Sequence, residues 1–448
     1  MRCAVIGGGI SGLAAAYQLR KRGLSPTLFE AGDRLGGSIQ TLRRDGYLME
    51  AGPDSLLVTK PAAIKLAKEL GLELIPSTSL GPPGVVKNER IEPLPEGFRL
   101  LAPTKLLPFL RTPLLSLWGK IRAGLECLIP ATEIEHDESV ADFVTRRFGQ
   151  EVLDTLAQPL IGGIYAADPR CLSLLATMPM FRQMEKARGS ILAGMLRQVR
   201  KAGSRPGSLF VTPENGMGSL VDALAEQLDD IRLNAPVEVL RQVPTGWQVE
   251  ESGRCHTFQA VILACSAPQQ ARLLAFAPEL AEQLSSIRTT TTATIQFLFE
   301  QSQMGTELRG SGFVVPHTEG YQMTACTYSH LKYQGRAPEG QAILRCHLGN
   351  AMNQTGVELP DGELSKLALE ELESLLKLKG PPRETVLVRH REALPQYQVG
   401  HRDRVAEINA LRRKYPQLAL AGNGLEGVGV SDCVSLAQKA VDSLRDTA

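Results

Sequence analysis

Cys3-Ala4-Val5-Ile6-Gly7-Gly8-Gly9-Ile10-Ser11-Gly12, continued by Leu13-Ala14-Ala15-Ala16-Tyr17-Gln18-Leu19-Arg20, reads as a strand, a glycine turn and a helix. Residues 3–6 are apolar and partly β-branched, the composition of a buried strand. The run after Gly12 holds strong helix formers and no proline, and it places Leu13, Ala16 and Tyr17 on one face. Gly23 stops the helix, and Pro26-Thr27-Leu28-Phe29-Glu30 reads as the next strand, ending on an acid. Gly7 permits the tight turn. Gly9 lets the backbone approach a pyrophosphate, whose charge then sits at the helix N-terminus, and Gly12 lets the helix pack close to the strand. Glu30 lies 18 residues beyond Gly12, where a carboxylate accepts ribose hydroxyls and repels a 2′-phosphate. The segment predicts an α/β fold that binds a dinucleotide, with FAD and NAD both open at this point.

Working outward, 448 residues are too many for one compact core. They imply two or three domains, or one large interrupted one. Lys plus Arg number 49 and Asp plus Glu 48, a net charge of +1 that argues against nucleic acid as a partner, local basic patches aside. The eight Cys form no CxxC pair and no Cys/His cluster with zinc spacing, so they read as reduced, mostly buried thiols of a cytosolic protein with no metal site. Met1-Arg2 runs straight into the first strand, which gives no expectation of a secretory leader, and no run of about 18 apolar residues suggests a membrane-spanning helix. The 42 glycines set against only 5% aromatics raise the question of where the glycine is used.

Glu30-Ala31-Gly32-Asp33-Arg34-Leu35-Gly36-Gly37-Ser38 resembles the ExxxRxGG extension of glutathione-reductase-like flavoproteins, the amine oxidase and desaturase superfamily especially. The resemblance implies FAD, with Arg34, Gly36, Gly37 and Ser38 near its phosphates. In Tyr47-Leu48-Met49-Glu50-Ala51-Gly52-Pro53-Asp54-Ser55, the Gly52-Pro53 bend lies beside the isoalloxazine in that superfamily, with Asp54 and Ser55 following. At the C-terminus, the strand Leu418-Ala419-Leu420-Ala421 leads into a glycine-rich loop, Gly422 to Gly429, and an amphipathic helix through Leu444. This loop can bring Gly427, Val428, Gly429 and Val430 to the flavin with backbone N–H groups and a helix N-terminus. Both ends of the chain therefore build one site. The expected fold is α/β (α+β overall): a discontinuous Rossmann-like FAD domain of glutathione-reductase type, a β-rich substrate domain and a helical insertion.

Matches along the whole length narrow the family. GGIYAADPRCLSL, LPQYQVGH and EGVGVSDC are more particular than the superfamily motifs, and PLPEGFRLLAPTK and PENGMGSLVDAL accompany them. The chain resembles the oxygen-dependent porphyrinogen oxidases of haem biosynthesis, the protoporphyrinogen oxidase and bacterial coproporphyrinogen III oxidase group. That resemblance implies three rounds of hydride transfer from a porphyrinogen to flavin, with O₂ reduced to hydrogen peroxide, and a backbone contact of Val237 with the adenine. No Ser/His/Asp set accompanies the motifs, and hydride chemistry on a flavin requires none. Gly163, in the GIY segment, corresponds to a family glycine beside the reacting bridge; its plain alternative is a tight packing position. Arg99 and Lys60 are the candidate cations for substrate carboxylates. Gly312 and Val314 match the apolar pocket wall, although Ser311 stands where animal enzymes carry an aromatic. His347 falls where the family often has an apolar residue, and it reads either as a pocket residue or as a satisfied sheet histidine.

The expected organisation is an FAD segment over 1–80, substrate domain over 81–97 and 285–400, a helical insertion over 98–205, and further FAD segments over 206–284 and 401–448. The broken apolar run 106–118 reads as the core of the helical insertion. The family alternative is a membrane-docking surface, which would make a cytoplasmic protein peripheral to the membrane and allow transient contact with the next haem-pathway enzyme. The preferred porphyrinogen and the oligomeric state are not legible. Two other enzymes share the scaffold: a flavin amine oxidase, which needs an aromatic cage that the loop Gly424–Val430 lacks, and a carotenoid desaturase, which should carry longer apolar stretches. A flavin-binding protein without turnover would bind the cofactor and release no peroxide.

Overall fold

The computed structural model describes residues 1–78, 81–99, 101–132, 136–202 and 208–444. Arg2–Ile6 is the central strand of a five-stranded sheet. It pairs in parallel with Ser25–Phe29 on one side and Ala260–Leu263 on the other. Ile231–Arg232 and Leu418–Leu420 complete the edges, also in parallel. Segments far apart in sequence thus close one sheet, the discontinuity expected from the two termini. Side chains alternate across a strand. Cys3, Val5 and Ile262 face a core built with the helices Ile10–Lys21, Ala62–Glu69, Gly218–Ala225 and Val430–Ser443. Ala4, Ile6, Val261 and Leu263 face a second core with Trp247, Leu274, Leu280 and Ile408. Both faces being covered, the strands read as continuous apolar runs rather than alternating ones.

A seven-stranded sheet forms the second body, in the order Glu384–Pro395, Thr289–Glu300, Gln341–Leu348, Met323–Tyr328, Gly312–Val314, Gly84–Lys87, Arg90–Pro93. All its pairs are antiparallel except Gly312–Val314 with Gly84–Lys87. One face carries Ile295, Phe297, Leu344, Cys346 and Phe313. It is covered by the helix Asp361–Leu376 through Leu364, Ala368, Leu372 and Leu375, a helical stripe of four- and three-residue steps. The opposite face is divided along its length. At one end Leu298 and Ile343 meet Tyr47 and Met49 of the hairpin Thr41–Glu50. That hairpin, expected to go with the flavin segment, is therefore shared with the large sheet. Polar residues follow in the middle, and the far end looks toward the helical insertion.

The insertion runs from Leu106 to Ala202. Glu126 and Arg147, both fully buried, pair at its centre, and the Glu126 carboxylate also accepts from Ile191 N at 2.8 Å and Ser190 Oγ at 2.7 Å. Its first helices correct one expectation. Phe109, Leu114 and Leu115 are buried, but Leu107 is 57% exposed, Leu117 71% and Trp118 78%. The run 106–118 is amphipathic, and only one face of it is core. No described helix is long and apolar enough to cross a membrane. All eight cysteines are free, four of them buried.

Candidate active site

The glycine turn is shaped by close approach. A side chain on Gly12 would place its Cβ 1.8 Å from the Gly7 carbonyl oxygen, so the helix Ile10–Lys21 can seat on the turn only with glycine there. Gly9 has the opposite environment. The nearest atom to a Cβ there would be Gly37 Cα, at 4.0 Å, and the Gly36 N–H donates to Gly8 O at 2.8 Å. Two glycine loops thus face each other across a narrow gap. The helix begins without a side-chain cap, leaving its first N–H groups for a ligand. Ile10 and Ser11 are buried, and the Ser11 hydroxyl meets the Cys433 thiol of the closing helix.

The Glu30 carboxylate accepts Gly8 N–H at 2.6 Å through one oxygen and Gly32 N–H at 2.8 Å through the other. The acid is fixed by the backbone of its own turn, with lone pairs to spare for a diol. The Glu30 and Gly32 carbonyls receive Ala235 and Asn234 N–H, which brings the start of the strand Val237–Val243 to the same end. Arg34 folds back, donating to Gly37 O at 2.7 Å and to Leu35 O and Ile39 O at 3.2 Å. It braces the Gly36-Gly37 loop, next to exposed Ser38. These features fit an extended dinucleotide: an open gap without side chains, a helix N-terminus at its centre and an acid at one end.

Residues 50–55 cross the polar middle of the large sheet. Thr294 Oγ1 donates to Ala51 O at 2.7 Å, Gln296 Nε2 to Glu50 O at 2.7 Å, His390 Nε2 to Ala51 O at 2.9 Å, and Arg345 Nη2 to Gly52 O. A Cβ on Gly52 would fall 1.7 Å from Ser38 O, so this bend and the Arg34 loop touch backbone to backbone. Pro53 continues the bend, half-buried. Asp54 is held by Lys332 Nζ at 2.8 and 2.9 Å, by Arg345 at 3.5 Å and by Ser55 Oγ at 2.6 Å, while Tyr333 OH donates to Ser55 at 2.8 Å. Burial alone would push the Asp54 carboxyl up, but Lys332 and Arg345 outweigh it and hold it well below the usual range. Burial raises Glu50, which accepts Met217 N–H at 2.7 Å. Asp54 and Ser55 are thus anchors of the bend. Thr294, Gln296, Lys332, Arg345 and His390 escaped the sequence reading. For Thr294, Gln296 and Arg345 the signal was a polar residue at alternate positions within an otherwise apolar strand; Lys332, in the short helix Ser329–Lys332, and His390, in a largely polar strand, gave none.

Two residues beyond Arg345 on the same face, His347 is half-buried, with Nε2 3.3 Å from Thr327 Oγ1. Burial and the nearby Arg345 cation lower it to about 3, so it is a neutral imidazole. The strand register sets Ala325 beside it and Val314 beside Ala325. Gly312 lies against Thr327, and a Cβ there would be 2.1 Å from Cys326 O. Val314 and Val428 both pack on the apolar cluster of the helical insertion that includes Ile161 and Tyr397. Gly163 lies on the adjoining helix Gln158–Tyr165, exposed, and a Cβ there meets nothing within 4 Å. Its reading as a tight packing position is overturned, because the helix turns this residue toward open space. The structure therefore gathers Val314, His347, Val428 and the Gly163 helix around the seam between sheet and insertion.

Other candidates have other places. Lys60 pairs with Asp432 at 2.7 Å, and its carbonyl accepts Ser431 Oγ at 2.7 Å, so it fastens the first turn of the closing helix. Gly427 and Gly429 wrap the same Asp432, with Val430 opening the helix. Arg99 sits in a two-residue strand opposite Ala102, and its side chain lies outside the described residues. Among the described residues no group of three His, Cys, Asp or Glu could hold a metal ion.

A nucleotide-binding sheet closed by both ends of the chain, joined to a second sheet through the bend at residues 50–55, is the architecture of a flavoprotein oxidoreductase. The chain belongs to the family described as flavin containing amine oxidoreductase, which matches residues 10–444, and its cofactor is FAD. A coproporphyrinogen III oxidase from Bacillus subtilis is 35% identical over 98% of this chain and 96% of its own. Protoporphyrinogen oxidase 2 of Arabidopsis thaliana is 28% identical over 98% and 93%. The crystal structure of a protein from Exiguobacterium superposes with a TM-score of 0.90 at 31% identity, covering 100% of this chain and 99% of that one.

Proposed function

We propose that the protein oxidises a porphyrinogen to a porphyrin in haem biosynthesis, with coproporphyrinogen III as the preferred substrate and O₂ as the final acceptor. The observation that carries this reading is near-full-length similarity to a coproporphyrinogen III oxidase, 35% identical against 28% for the plant protoporphyrinogen oxidase. FAD, when bound, would supply the two-electron chemistry: a hydride acceptor for a saturated bridge carbon, regenerated by O₂ with hydrogen peroxide as the product. The protein's part is to hold Gly7–Gly12, Glu30, Val237, Arg34–Ser38, Gly52–Ser55 and Gly427–Val430 around that cofactor. Val314, Gly312 and His347 form one wall for the macrocycle and the Gly163 helix the other. The C-terminal loop also favours this substrate over an amine, since Gly424–Val430 carries none of the aromatic side chains that an amine-binding cage requires. Purified holoenzyme should release peroxide with coproporphyrinogen III and show a kcat/KM about tenfold higher than with protoporphyrinogen IX, a difference of about 1.4 kcal/mol. Peroxide release with amines and not with porphyrinogens would overturn the assignment.

We also propose that the protein docks on anionic membrane surfaces through the apolar face of residues 106–128. Leu107, Leu110, Leu117, Trp118 and Leu128 are each more than half exposed, with Arg111 exposed and Lys120 half-buried among them. That combination suits insertion at a headgroup boundary. Replacing Leu117 and Trp118 by Ser should weaken binding to phosphatidylglycerol vesicles about tenfold or more, since each large side chain contributes about 1.5–3 kcal/mol on burial. Turnover in detergent-free solution should be unchanged. Equal flotation of parent and double variant would exclude this surface.

A further inference from the structure

Two motifs singled out in the sequence, GGIYAADPRCLSL and LPQYQVGH, are not explained by dinucleotide binding, yet the fold brings both to the C-terminal loop Gly422–Gly429. The connector Leu394–His401 runs between the end of the helical insertion and the C-terminal loop. On the insertion side, Tyr397 O accepts Ser173 N–H at 2.8 Å, Val399 N donates to Cys171 O at 3.0 Å, and Gln396 Nε2 donates to Tyr165 O at 3.2 Å. Asp137 ties the two further, accepting Ser173 Oγ at 2.5 Å, Leu175 N at 3.1 Å and Gly400 N at 3.1 Å. On the other side, Tyr397 OH donates to Asn423 O and His401 Nε2 donates to Leu425 O at 2.8 Å. The two rings stack, centroids 4.1 Å apart and 15° from parallel. Both are buried, with Tyr397 1% and His401 2% exposed. Tyr165 ends the helix that carries Gly163, and Asn423 and Leu425 lie in the loop that continues to Gly427–Val430.

We infer that Tyr397 and His401 are positioning residues: they clamp the C-terminal loop Gly422–Gly429 to the helical insertion and so set the gap between the cofactor and the Gly163 helix. The inference rests on the proposed porphyrinogen chemistry for its kinetic consequence only. A loop carbonyl has no rigid connection of its own to the insertion. Two hydrogen bonds from one stacked pair give it one, and a stacked pair cannot adjust either bond without disturbing the other. Misplacement of a reacting carbon by about an ångström reduces the chemical step far more than binding.

The test uses holoenzyme carrying Tyr397→Phe, His401→Phe or His401→Gln. His401→Phe keeps the stacked ring and removes the donor; His401→Gln keeps an N–H near the Nε2 position. We expect Tyr397→Phe and His401→Phe to lower kcat about tenfold with KM within about twofold, to speed FAD release about tenfold, and to perturb the visible flavin spectrum. His401→Gln should recover both rates to within about threefold of the parent, on the same scale of roughly tenfold per 1.4 kcal/mol. Unchanged kcat and FAD release in well-folded Tyr397→Phe would overturn the inference, as would His401→Gln no better than His401→Phe. If His401→Phe does not fold, Tyr397→Phe, which loses a single hydroxyl, decides alone. A parent enzyme inactive on every porphyrinogen would remove the functional reading, while FAD release and spectrum would still judge the clamp.

Discussion

Gly12→Val should purify nearly colourless. The added Cβ would sit 1.8 Å from the Gly7 carbonyl oxygen, a backbone atom held in the turn that leads into the helix. Ordinary contact requires nearly twice that separation, so the helix Ile10–Lys21 must retreat from the loop. Its first N–H groups then leave the place where they would meet the pyrophosphate. Overpacking of this kind costs about 1–3 kcal/mol, which, if it falls wholly on the bound state, corresponds to roughly a 5- to 150-fold loss of FAD affinity. The ratio of flavin to protein absorbance, followed by reconstitution with added FAD, measures the effect. Gly163→Ala is the control, since a Cβ there meets nothing within 4 Å. It should retain FAD in full. A Gly12→Val protein with full flavin content would show that the turn does not carry the cofactor.

Asp54→Asn should be the most destabilising single change at the site. It removes the one carboxylate shared by Lys332 and Arg345, leaving two cations in a place where Arg345 is only 5% exposed. Breaking such a pair costs about 3–5 kcal/mol. The pH dependence has a definite sign. The folded Asp54 pKa is depressed below its ordinary value near 3.8, so its contribution is complete above about pH 4 and is lost as pH falls further toward the folded value. Urea unfolding midpoints of the parent should therefore drop steeply below pH 4. The Asn variant should start lower at neutral pH and show a shallower acid limb. Parallel curves for the two proteins would mean that Asp54 is not the group whose ionisation stabilises the bend. Because the bend touches the Arg34 loop through Gly52 and Ser38, the variant should also release FAD faster than the parent.

Local spacing was enough for the glycine turn, because each requirement there concerns neighbours within about 20 residues: a strand of four apolar residues, glycines at 7, 9 and 12, an acid at 30. The return of the C-terminal segment to the same sheet was legible as well, from the strand, glycine loop and helix at residues 418–444. The large sheet was legible as β-rich sequence from Thr289 onward, but its division into an apolar face and a polar one was not assigned. That division depends on strand register, which puts Gln296, Arg345 and Thr327 in one row and Thr294, His347 and Ala325 in the next.

Exposure was legible only in part. Leu107, Leu117 and Trp118 are as apolar as any core residue, and nothing in the sequence says whether a partner helix covers them. The same holds for Lys60, which the sequence offers as a free cation and the fold engages with Asp432, 372 residues away. Tyr397 and His401 stood in a recognisable motif without a role, since their partners Asn423 and Leu425 lie across a helix and a strand from them. By itself the sequence determined the nucleotide-binding turn, the flavin family and the class of reaction, because these are written in short-range backbone requirements and motif chemistry. Only the tertiary structure decided which polar side chains anchor residues 50–55, which apolar residues stay uncovered and what fixes the C-terminal loop, because each of those depends on contacts between segments that meet only after the chain has folded.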